Sequence, residues 1–101
     1  EPVITVQENG VIIADAKAEL SEIKEIAQID LSEEQKNGEL EIETLVGLVF
    51  HIAQRIPNRG EIIENTNGVK FRILDVDHRR IKKIMILPPY NNEEKSIVDD
   101  R

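Results

Sequence analysis

Hydrophobic and polar positions along this chain change period several times, and each change marks an element. Val3-Ile4-Thr5-Val6 is β-branched throughout and Val11-Ile12-Ile13-Ala14 nearly so, the composition of strands. Between them Asn9-Gly10 is the pair favoured in tight hairpins, where a type I′ turn needs positive φ at both central residues. A β-hairpin over residues 3–15 is expected. From Ala18 to Ile29 the period lengthens: Leu20, Ile23, Ile26 and Ala27 share one helical face, and Glu19, Glu22, Lys24 and Glu25 point away. Nothing before this helix is a strong cap, so its start is open, and a helix this short depends on packing for stability. Ile29-Asp30-Leu31 then leaves the helix, with Leu31 tucked back onto the core.

Residues 32–43 form a glutamate-rich connection with a turn at Asn37-Gly38. Thr44 is a good N-cap, since its hydroxyl can accept from a first-turn amide. Leu45, Leu48, Val49, Ile52, Ala53 and Ile56 then recur at helical spacing, and Val46 and Phe50 widen the apolar stripe. The helix is therefore expected to be covered over much of its circumference and to run until Pro57 ends it. Gly47 costs about 1 kcal/mol there relative to alanine, which predicts close approach of a neighbouring backbone.

Three strands follow. Residues 61–64 lead into a second Asn-Gly turn at Asn67-Gly68, after which Val69, Phe71 and Ile73 alternate with Lys70 and Arg72. Leu74 breaks the alternation and predicts a bulge or a fully buried strand end. Residues 80–87 make the last strand, closed by Pro88-Pro89. The pattern yields an α+β domain of order β-β-α-α-β-β-β, one antiparallel sheet with two helices on one face, over residues 1–88. Residues 89–101 are expected to be a disordered tail.

Composition narrows the function classes. The chain has 101 residues, enough for one domain, and 40% hydrophobic against 33% charged residues fits a folded one. It has no cysteine, which removes disulfides and thiolate metal sites. No apolar run approaches the ~20 residues a membrane helix needs. The chain opens at Glu1, and is expected to be a domain excised from a larger protein. Charge is uneven: residues 1–50 sum to −9 and residues 51–101 to +2. An overall −7 disfavours nucleic acid as a partner, because phosphate contacts supply most of that affinity.

Catalytic motifs are missing. No phosphate-binding glycine loop and no nucleophile motif frames the serines and threonines. His51 and His78 each stand alone, and the acidic connection lacks the alternating spacing of a calcium loop, so no metal site is assigned. The residues best suited to an anion are Arg55, Arg59, Arg79, Arg80, Lys82 and Lys83, arginine having a planar fork for phosphate or carboxylate. The same charges serve equally to keep an edge hairpin soluble, or to dock the strand on an acidic surface.

The ordered set Thr44, Leu45, Gly47, Ile56, Pro57, Gly60, Glu61, Gly68, Phe71, Asp75, Arg79, Arg80 and Ile81 resembles the CorC/HlyC transporter-associated domain, with Leu48 where that family has a second glycine. Residues 20–26 also resemble the family's preceding helix, and the likeness spans residues 3–87. The resemblance implies a non-catalytic C-terminal regulatory domain of a CBS-domain, hemolysin-like or magnesium/cobalt-efflux-like membrane protein. Its partners would be the CBS and membrane domains of the same parent chain, at the cytoplasmic face, with a homodimer through an exposed sheet edge also open. The family's fold is similar to part of FAD-binding (PCMH-like) domains, which leaves a sensor of FAD or an adenine nucleotide as the alternative. Its site would be Arg55, Arg59, Arg79, Arg80 and Lys82.

Overall fold

The computed structural model describes residues 2–31, 42–78 and 80–89. The acidic connection up to residue 41, Arg79 and the expected tail from residue 90 lie outside them. Seven elements follow one another: β1 (Ile4–Val6), β2 (Ile12–Asp15), α1 (Leu20–Ala27), α2 (Leu45–Ala53), β3 (Ile62–Glu64), β4 (Lys70–Asp77) and β5 (Arg80–Leu87). All strand pairs are antiparallel, in the order β1-β2-β5-β4-β3. Ile12, Ala14, Phe71, Ile73, Ile84 and Ile86 pack from the central strands against Leu20 and Ile23 of α1 and Leu45, Leu48 and Val49 of α2. Leu31 is buried in the same core, as its position after α1 led one to expect. α1 lies against β1 and α2 against β3, so the two helices tile one face of the sheet.

Both Asn-Gly hairpins differ from the expected type I′ turn. Gly10 N–H donates to the Gln7 carbonyl at 3.0 Å and Gln7 N–H to Val11 at 2.8 Å, and Gly68 and Asn65 repeat this pattern with Asn65 and Val69. These are three-residue loops, in which only the glycine, at φ 87° or 86°, has positive φ. Asn9 and Asn67 keep ordinary backbone angles, so in both turns the left-handed conformation falls on the residue without a Cβ. Leu74 sits at a register shift between Ile73↔Ile84 and Asp75↔Lys83, so of the two expected outcomes the bulge is the one found. A second shift leaves Lys82 between pairs, and its carbonyl accepts from Ala16 N–H at 2.9 Å.

The helices are shorter than the apolar periods that predict them. α1 ends at Gln28 and α2 at Gln54, both left-handed caps at φ 60°. α2 thus stops before Pro57, and Ile56 lies off the helix and is exposed. Ile26, assigned by its spacing to the buried face of α1, is exposed too. Gly47 meets no neighbouring backbone: a Cβ there would come within 3.2 Å of Thr44 Oγ1 and 3.6 Å of Ile42 Cγ2, both side-chain atoms.

The helix starts are joined. Leu45 and Val46 N–H donate to the Ala18 and Ala16 carbonyls at 2.9 Å, and Gly47 N–H to Thr44 Oγ1 at 3.2 Å. Every amide of the first turn of α2 that lacks an intrahelical acceptor is thereby satisfied. In return Leu20 N–H, the first of α1, donates to Glu43 at 2.8 Å. This bracing explains how α1 begins without a side-chain cap.

Candidate functional site

The exposed flank of α2 carries a candidate surface with an aromatic side chain in it. At about 100° per residue, Leu45, Leu48, Val49 and Ile52 cluster on one side of the helix, and Gly47, Phe50, His51 and Gln54 fall on the other. The first set meets the core. The second lines a groove of about 540 Å³ with Ile42, Glu43, Thr44 and Arg55. Phe50 is 43% exposed there, which corrects the expectation that it widens a covered stripe. The helical angle alone could have separated it from the core stripe.

Arg55 closes one end of this groove and is already engaged. Its Nη1 donates to Glu61 Oε1 at 3.0 Å and its Nη2 donates to Glu61 Oε2, a two-pronged pair. Asn58 N–H donates to the same Oε1 at 2.9 Å. The Arg55 hydrogen bond first, and the Asn58 amide second, lower the Glu61 pKa to about 2. Glu61 in turn raises that of Arg55. The pair ties the end of α2 to the start of β3 across Pro57, so Arg55 has a structural role that the sequence did not reveal.

The other expected anion contacts lie apart. Arg59 occupies the exposed turn before Gly60, whose N–H donates to the Ile73 carbonyl at 2.7 Å. Arg80 opens β5 opposite Asp77, and Lys82 lies at the second register shift. β4 separates these strands, and it brings Asp75 and Asp77 to the same end of the sheet. Lys83 stands across from Asp75 on one side and Asp15 on the other. The cations are therefore interleaved with carboxylates, in contrast to a bare phosphate cradle. His51 lies in the α2 groove, and His78 in the β4–β5 turn at φ 52°. Among the described residues no group of three or more histidine or carboxylate side chains is gathered for a metal, and no helix is long and apolar enough to cross a membrane. An exposed aromatic ring flanked by an amide, an imidazole and a fixed ion pair is suited to contact with another protein surface.

Comparison with known proteins agrees with this architecture. A transporter associated domain from a CBS domain protein of Porphyromonas gingivalis is 26% identical, with a TM-score of 0.65 over 84% of this chain and 95% of that one. A CorC_HlyC domain from a Xylella fastidiosa Temecula1 hemolysin, solved in complex with Mg²⁺ and Mn²⁺, is 25% identical, with a TM-score of 0.61 and the same coverages. The CorC_HlyC domain from Nitrosomonas europaea, at 23% identity and a TM-score of 0.66 over 85% of this chain and 95% of that one, shares the fold. No protein of curated function matches the sequence. The CorC_HlyC family model, described as a transporter associated domain, matches residues 5–89, and the chain belongs to that family.

Proposed function

We propose that this chain is a non-catalytic regulatory domain of a CBS-containing, hemolysin-like or magnesium/cobalt-efflux-like membrane protein. In this reading it sits at the cytoplasmic face and modulates ion transport by packing against the CBS domains of its parent. Family membership and the CBS-protein origin of the Porphyromonas relative support the reading. The observation that carries it is Phe50, an aromatic side chain 43% exposed on a helix whose opposite face packs into the core. The parent's CBS and membrane domains are the partners, and a second copy of the chain is a further one. The nucleotide-sensor alternative is weakened because Arg55, one of its anion contacts, is committed to Glu61.

Titration of the chain against the parent's CBS pair, followed calorimetrically, tests the proposal. Phe50→Glu is expected to weaken association by about tenfold or more, with the melting temperature of the free chain little changed because the ring is outside the core. Absence of association between the wild-type chain and the CBS pair, or an unchanged affinity in Phe50→Glu, would overturn it.

A further inference from the structure

The sheet has two edges, and they are guarded differently. β3 carries Glu64 and begins just after Glu61, charges that discourage pairing with another strand. β1 is guarded only at its ends, by Pro2 and by Glu8 in the hairpin turn: the stretch from Val3 to Gln7 holds no charge. Among the described residues its outer backbone is also open. Hydrogen bonds to β2 run through odd-numbered residues: Asp15 N–H donates to the Val3 carbonyl at 2.9 Å, Gln7 N–H to Val11 at 2.8 Å, and Thr5 pairs with Ile13. Antiparallel ladders alternate, so the N–H and C=O groups of Ile4 and Val6 point away from β2, toward the free edge of the sheet. Around that edge lie apolar side chains left in water: Val3 is 65% exposed, Val6 46%, and Ile26 on the neighbouring α1 55%.

We propose that β1 is a self-pairing seam, joining two copies of this chain about a twofold axis into one continuous sheet. Geometry selects the register. With Ile4 opposite Val6 of the second copy, each of these residues donates one backbone hydrogen bond and accepts one, and Thr5 meets Thr5 on the axis. A shift of two residues one way sets Pro2, which has no N–H, opposite Val6. A shift the other way sets Glu8, in the hairpin turn, opposite Ile4. A second copy fits because its own stretch from Val3 to Gln7 is uncharged, so no like charges stand directly opposite one another across the axis. Pairing two threonines on the helix-free face is itself favourable. The inference is independent of CBS docking: the seam uses β1 and the docking surface uses α2, so the chain alone tests it.

The chain has no cysteine, so single substitutions report cleanly. Thr5→Cys, under mild oxidation at about 0.15 M salt, where screening reaches within about 8 Å, is expected to give a disulfide-linked dimer. Thr66→Cys, exposed on the β3–β4 turn, should stay monomeric. Sedimentation of the wild type should show a monomer–dimer equilibrium, with Thr5→Lys raising its dissociation constant about tenfold or more. Thr5 points to solvent, and circular dichroism of each variant confirms that the fold is kept. A wild type that sediments as a monomer at every concentration, or cross-linking at Thr5 no faster than at Thr66, would overturn the seam.

Discussion

Asn65 is the buried polar side chain of the described residues, 8% exposed, and its Oδ1 accepts from Asn67 N–H at 2.9 Å and Val69 N–H at 3.0 Å. Val69 is itself buried, so no water replaces that acceptor. Asn65→Ala is expected to destabilise the domain by about 1–3 kcal/mol, measured by urea unfolding. Asn9, exposed and accepting from Val11 N–H at 3.1 Å, should cost clearly less when truncated. Glu61 gives a pH signature. Its pKa falls from an ordinary 4.5 to about 2 in the folded chain, so the folded state favours the carboxylate. The resulting stability is present above pH 4.5 and is lost as pH falls through 2. Melting curves of wild type and Glu61→Gln should therefore differ most above pH 4.5 and converge toward pH 2.

For the elements, helical spacing found both helices but not their ends or their covered arcs. Left-handed caps at Gln28 and Gln54 stop each helix while apolar residues still recur at the right interval. Ile23 and Ile26 show the consequence on α1. Both fit the apolar period, yet Ile23 is fully buried and Ile26 mostly exposed. Ile23→Ala is expected to cost about 2–5 kcal/mol. Ile26→Ala should stay within about 0.5 kcal/mol in the monomer, and equilibrium unfolding at low protein concentration checks both. Bracing of the helix starts through Ala16, Ala18 and Glu43 also had no trace in the sequence, since it joins residues 23 to 30 positions apart through backbone atoms that every residue type carries.

At the scale of the whole molecule, one core joins both helices to the sheet, and the exposed large apolar side chains lie toward its two edges, Ile56 and Ile62 among them on the β3 side. Phe50 stands on α2, the helix against β3, and Val3, Val6 and Ile26 stand near the opposite edge of the sheet. A chain so arranged can pair with its own copy through β1 while presenting α2 to a different partner. Phe50→Glu should thus leave self-association unchanged, and Thr5→Lys should leave binding of the CBS pair by a monomer unchanged. The proposed regulatory role needs no more chemistry than this, because bias between two states requires only contacts that differ between them.

The sequence alone determined the element order, the alternation of β4, the places though not the type of both glycine turns, the Thr44 cap and the break in alternation at Leu74. Each depends on residues within a few positions of one another, where alternation, left-handed backbone and capping chemistry act locally. It was also enough for the family, whose signature is an ordered run of such local features. Tertiary structure decided the rest. Strand order set which edge is bare, and helix placement set that Phe50 and Ile26 face water. The fold of the connection through Pro57 turned Arg55 from an anion contact into the partner of Glu61. Register interleaved the basic residues with Asp15, Asp75 and Asp77. Charge and hydrophobicity belong to the residue, but their neighbours across strands and between helices are set only when the sheet closes.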